Sequence, residues 1–142
     1  MKVQVDGLRE LTKALRQTDK QAPKAVSRAH KKVAGIVVRQ AQANARGRPR
    51  RQRMGHIEKT IKARGSQRRA QIAAGGSRAP DIFVQEFGGR VPLFGNQQRK
   101  VLARPRNRSG WFLYPAIRET RDEVMEAYLD ELDDALRDHF DQ

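Results

Sequence analysis

The chain's three histidines, His30, His56 and His139, stand in separate segments, and none adjoins a serine or aspartate in a nucleophile motif. A HExxH zinc motif is absent, as is a glycine-rich phosphate loop ending in Lys-Ser/Thr. Asp81 and Glu86 come nearest to the carboxylate pair of a metal-dependent nuclease. That chemistry also wants a lysine shortly after the second carboxylate, to stabilise charge at the scissile phosphate. Phe87 and Gly88 stand there instead, so Asp81 reads as a turn residue and Glu86 as structural. With no cysteine, thiolate metal sites, cysteine nucleophiles and disulfides are excluded. The expectation is a protein without catalysis, cofactor or metal.

Binding chemistry has more to work with. Arg46-Gly47-Arg48-Pro49 resembles the core of an AT-hook, in which proline extends the backbone and arginines enter a narrow minor groove. Four residues are a small signal in so basic a chain, and a solvated or partner-facing loop is the stronger reading. Trp111-Phe112-Leu113-Tyr114 suits a base-stacking platform, but at the head of an amphipathic helix it reads better as an anchor into a core or subunit seam. The last helix carries a concentrated acidic face, either solvated or turned toward a neighbour's arginines.

These groups need elements to position them. Val3 and Val5 alternate with polar residues and predict a short strand. Asp6 caps a predicted helix over 7–18 with Leu8, Leu11 and Leu15 on one stripe. Pro23 opens a longer helix whose Val26, Ala29, Val33, Ile36, Val37 and Ala41 recur every three or four residues, ending near Ala45. Residues 46–55 read as loop, and 60–75 as two short strands about a turn at 65–67, with Ile61 and Ile72 inward. Ile82–Phe87 form a compact apolar patch, and 90–110 read as a long mobile loop. A final helix of about 28 residues follows, with Pro115 in its first turn and Leu113, Ile117, Val124, Tyr128, Leu132, Ala135 and Phe140 on its apolar stripe.

The whole is 142 residues, best accommodated as one domain over 1–142. Apolar residues make up 37% and aromatics 6%, which predicts a lean core and a marginal isolated monomer. No apolar run approaches the length of a membrane span, and the opening MKVQVDG lacks a signal peptide's apolar core, so a soluble, cytoplasm-made protein is expected. Net charge is +14, distributed as +7 over 1–45, +10 over 46–80, +4 over 81–110 and −7 over 111–142. An acidic tail thus sits on a strongly basic body, which calls for polyanions or acidic protein faces as partners.

Several segments together resemble one family. Val5-Asp6-Gly7-Leu8-Arg9-Glu10-Leu11, Gly55-His56-Ile57-Glu58-Lys59-Thr60-Ile61, Glu86-Phe87-Gly88 and Phe112-Leu113-Tyr114-Pro115-Ala116 occur in order before a long closing helix. Their order and spacing are similar to those of the gene-product-ten-like tail component family of long-tailed phages. Gly89 and Trp111 depart from the family's usual threonine and proline, and the loop over 90–110 is long. The resemblance implies an α+β fold: N-terminal helices and a long C-terminal helix on a small, mostly antiparallel sheet. It also implies a structural virion protein, assembled in the host cytoplasm, at the head–tail junction. There it would form a homo-oligomeric ring, of six copies by the symmetry of phage tails. The ring joins the head connector or stopper to the tail terminator or tail tube and lets DNA pass. A basic nucleic-acid-binding module is the alternative from the residues alone.

Glu86, Phe87, Trp111, Phe112 and Tyr114 are expected at partner or subunit contacts. A ring of identical subunits needs two different complementary patches on one chain. The acidic residues Glu123, Glu126, Asp130, Glu131, Asp133 and Asp134 are expected to face Arg46, Arg48, Arg50, Arg51 and Arg53, within the chain and across copies. Arg99, Lys100, Arg104, Arg106 and Arg108 are the expected contacts to passing DNA, through its backbone.

Overall fold

The computed structural model describes residues 2–5, 22–47, 57–92 and 101–140. The fold is α+β. Strand β1 (Lys2–Val5) forms where Val3 and Val5 predicted it. Helix α1 (Ala22–Gly47) places Pro23 in its first turn, where a missing N–H leaves no gap. All six residues of its predicted stripe are buried, together with His30, Ala34, Val38 and Ala45. The buried surface is wide because α1 is the central element, packing against β2, β3 and the two C-terminal helices.

A single-turn helix α2 (Ile57–Thr60) leads into β2 (Lys62–Gly65) and β3 (Ala70–Ala73). The sheet is antiparallel with β3 central, so that Val3, Ile72 and Ala63 align across it, as do Lys2, Ala73 and Lys62. The turn between β2 and β3 closes by Ser66 N–H donating to the Arg69 carbonyl at 3.0 Å. Ile61 and Ile72 are buried in the core, as expected. The Thr60 hydroxyl donates to the Ile57 carbonyl and accepts Gly75 N–H at 3.0 Å, tying the hairpin's exit to α2.

The apolar patch forms α3 (Ile82–Phe87), started by the Asp81 carbonyl, which accepts N–H groups of Val84 and Gln85. The region read as one long loop contains structure. Strands β4 (Gly89–Pro92) and β5 (Val101–Arg104) pair antiparallel, Gly89 opposite Arg104, and residues 105–110 make a hydrogen-bonded turn. The loop reading missed them because 90–110 holds two prolines, two glycines and six basic side chains, and the strands' support is mutual pairing rather than an alternating pattern.

The closing helix is also divided, into α4 (Leu113–Glu119) and α5 (Arg121–Phe140). Thr120 is the reason. Its hydroxyl donates to the Ala116 carbonyl at 2.7 Å, the same oxygen its N–H uses, and such back-bonding bends helices. The predicted helix over 7–18, and most of the loop over 46–55, lie outside the described residues; Arg46 and Gly47 end α1 rather than begin a loop.

Candidate functional site

Helix α4 begins with Phe112, Leu113, Tyr114 and Pro115, none of which can cap it with a side chain. A helix start leaves its first N–H groups without intrahelical partners, and burying them bare is costly. Glu86, contributed by α3, supplies what the local sequence lacks. Its Oε2 accepts Phe112 N–H at 3.1 Å and Leu113 N–H at 3.0 Å, and its Oε1 accepts Tyr114 N–H at 2.9 Å. Pro115 has no N–H to satisfy, and Ala116 N–H already reaches the Phe112 carbonyl. Every orphan donor is therefore accounted for by one carboxylate and one proline. The negative charge also suits the positive end of the helix.

Glu86 and Phe112 are both 0% exposed. The expectation that they present partner-binding surface is corrected accordingly: both are committed inside the subunit. Phe87 stacks at a tilt on Tyr114, ring centroids 5.2 Å apart, so this pair is likewise engaged within the chain, though Tyr114 remains 38% exposed. Trp111 is half-buried against the core.

Two glycines make the approach possible. A Cβ on Gly88 would stand 1.8 Å from the Pro105 carbonyl oxygen, and one on Gly110 would stand 2.2 Å from Glu86 Oε1. Both have positive φ, +75° and +81°. Asn107 fastens the segment between them: its N–H donates to the Phe87 carbonyl at 2.8 Å and its side-chain amide to the Gly110 carbonyl at 2.9 Å. Glu86-Phe87-Gly88 and Phe112-Leu113-Tyr114-Pro115-Ala116 thus meet in space as one structural knot.

The acidic face lies elsewhere. Helix α1 runs antiparallel to α4 and α5 taken together: toward its start Lys32 pairs with Glu131 and Tyr128 stacks on His30 with ring planes 6° apart, while farther along Gln40 and Asn44 donate to Glu119 at the end of α4. The carboxylate raises the Lys32 pKa above its ordinary 10.5, by hydrogen bond first and then by charge. Burial raises that of Tyr128. Asp133 pairs with Arg137 on its own helix at 2.6 Å. Glu123, Glu126, Asp130 and Asp134 are exposed.

Of the arginines expected opposite this face, Arg46 is the one among the described residues, and it does not meet Glu131. Arg46 lies fourteen residues beyond Lys32 along α1, about 21 Å at 1.5 Å per residue. Glu131 takes Lys32 instead, because the antiparallel packing brings the acidic end of α5 to the N-terminal half of α1. Arg48, Arg50, Arg51, Arg53, Arg99 and Lys100 lie outside the described residues. Arg104 ends β5, and Arg106 and Arg108 are exposed in the turn before Gly110.

A basic depression beside the N-terminal turns of α1 escaped the sequence reading. Lys24, Ser27 and Arg28 line it from the helix, and Ser66 and Arg68 from the β2–β3 turn. Its sequence signal was available: Glu58 is the only acidic residue between Lys20 and Pro80. The pairing of the turn with the helix was not. Among the described residues, no group of three histidines or carboxylates is placed to hold a metal ion, and no helix is long and apolar enough to cross a membrane. No family model, curated protein or solved structure matches the chain.

Proposed function

We propose that the protein is a non-catalytic virion component of a phage head–tail junction, a neck or tail-completion subunit that assembles into a ring and joins connector to tail. The observation that carries this reading is the convergence of the two most family-like segments on Glu86. Residues that look unrelated in sequence are held to one another by three hydrogen bonds and two close glycine contacts. The α+β fold agrees with the architecture that the resemblance implies.

Contacts between copies are assigned to the exposed acidic stripe of α5 and to basic residues of another copy, since the described part of the chain leaves Glu123, Glu126, Asp130 and Asp134 facing solvent. Such pairs are individually weak, worth roughly 0–1 kcal/mol, so they steer register collectively.

Electron microscopy of particles assembled without this protein tests the reading. Filled heads and finished tails that remain separate, and that join when the purified protein is added, are the expected outcome. Normal virions without it, or tight sequence-selective DNA binding by the isolated chain, would overturn it. Within that assay, reversing Asp130, Asp133 and Asp134 to Lys should impair joining, and adding Arg48→Glu, Arg50→Glu and Arg51→Glu should restore part of it.

A further inference from the structure

Ser27 and His30, three residues apart on α1, both reach the β2–β3 turn. The Ser27 hydroxyl donates to the Gly65 carbonyl at 3.1 Å, and His30 Nδ1 stands 2.6 Å from the Ser66 carbonyl. A carbonyl only accepts, so Nδ1 carries the proton. Gly65 lets the backbones close up: a Cβ there would stand 2.3 Å from the Ser27 carbonyl oxygen and 2.5 Å from Lys31 N. The turn is therefore pinned to the helix, and Arg68 has a fixed station beside Lys24 and Arg28.

The three cations surround an open depression of about 810 Å³. All three are exposed, and among the described residues none has a carboxylate within ion-pair reach. Lys31 continues the stripe of Lys24 and Arg28 along the helix. Lys32, one residue on, faces α5 and is neutralised there by Glu131. Lys32 lies one turn beyond Arg28, so the basic stripe is compensated at its α5 end and uncompensated beside the β2–β3 turn.

We propose that this uncompensated surface binds the phosphate backbone of duplex DNA. From Lys24 to Lys31 the helix rises seven residues, about 10 Å, which matches the rise of about three base pairs along the duplex axis at 3.4 Å each. Arg68 adds a cation from the second element. No aromatic side chain lines the depression, so it offers nothing on which unpaired bases stack, and duplex is favoured over single strands. Contact is to backbone alone and carries no sequence preference. The site is distinct from the residues around 99–108, and its existence does not depend on the neck reading.

The test is a salt titration of binding to two unrelated 25-base-pair duplexes, followed by fluorescence anisotropy. Each phosphate contact contributes about 0.9 to the slope of log K against log salt. The triple variant Lys24→Gln, Arg28→Gln, Arg68→Gln should therefore lose about 2 to 3 from that slope, equally on both duplexes. A control triple, Lys59→Gln, Arg78→Gln, Arg121→Gln, removes the same charge from exposed positions outside the depression and should leave the slope within about half a unit of the parent. Arg28→Lys keeps the charge and should keep the slope, which separates lost contact from damaged fold. Equal losses in both triples would reduce the effect to bulk charge and overturn the site. So would tighter binding of single strands than of duplex. Loss of polyglutamate binding with DNA binding intact would assign the surface to an acidic protein instead.

Discussion

Glu86 and the acidic residues of α5 are the same chemistry put to opposite uses. Glu86 is fully buried, with both carboxylate oxygens occupied by backbone donors and glycines removing side-chain atoms from its surroundings. On α5 the carboxylates stand mostly in water, and those that pair do so with an exposed lysine or with an arginine one turn away. Burial raises the worth of each hydrogen bond, because an amide left bare there has no water to turn to. Exposure lowers it, since water and salt already solvate the charge. The contrast separates what holds the subunit together from what it can offer to a partner.

The comparison breaks most visibly at the knot. Glu86→Gln leaves one acceptor oxygen for three N–H groups and turns an amide NH₂ toward another donor. A loss of about 3 kcal/mol is expected, read as a shift in the urea midpoint at unchanged slope. A loss under about 1 kcal/mol would mean that the cap contributes little. Gly88→Ala should follow at about 2–3 kcal/mol, combining the clash with Pro105 and the strain of positive φ. Gly76→Ala serves as its measure, because Gly76 has positive φ but open space around it; about 1 kcal/mol is expected there. If both alanine variants cost the same, close approach at Pro105 is not what Gly88 provides.

On the acidic side the expected effects are small. Asp130→Asn and Asp134→Asn should each change stability by less than about 0.5 kcal/mol, whatever they do to association with other copies. The Lys32–Glu131 pair has a pH signature. Lys32 is raised above its ordinary 10.5 in the folded chain, so any stability it adds is fully present below that pH and is lost as pH rises through the folded value. Comparing parent with Glu131→Gln, the two denaturation curves should keep a constant offset from pH 6 to 9 and converge only above about pH 10.5. Convergence at lower pH would point to another group as the pair's partner.

Local chemistry determined much of this protein before any tertiary contact was considered. Valine alternation sets β1, a three-to-four-residue apolar repeat sets α1, and Ile61 and Ile72 face inward, because burying one face is a property of spacing alone. The absence of cysteine and the split between basic body and acidic tail are likewise fixed by composition. Other features lie beyond any window along the chain. Glu86 caps a helix that starts 27 residues later, Thr120 divides what periodicity reads as one helix, and β4 and β5 support each other across 93–100. Lys32, rather than Arg46 at the far end of the same helix, meets Glu131 because the packing of α1 against α5 brings those turns together. The basic depression exists only because Ser27 and His30 pin a distant turn to their helix. Periodicity records which face of an element is buried, but a hydrogen bond or ion pair depends on which element is brought to that face, and only folding in three dimensions decides that.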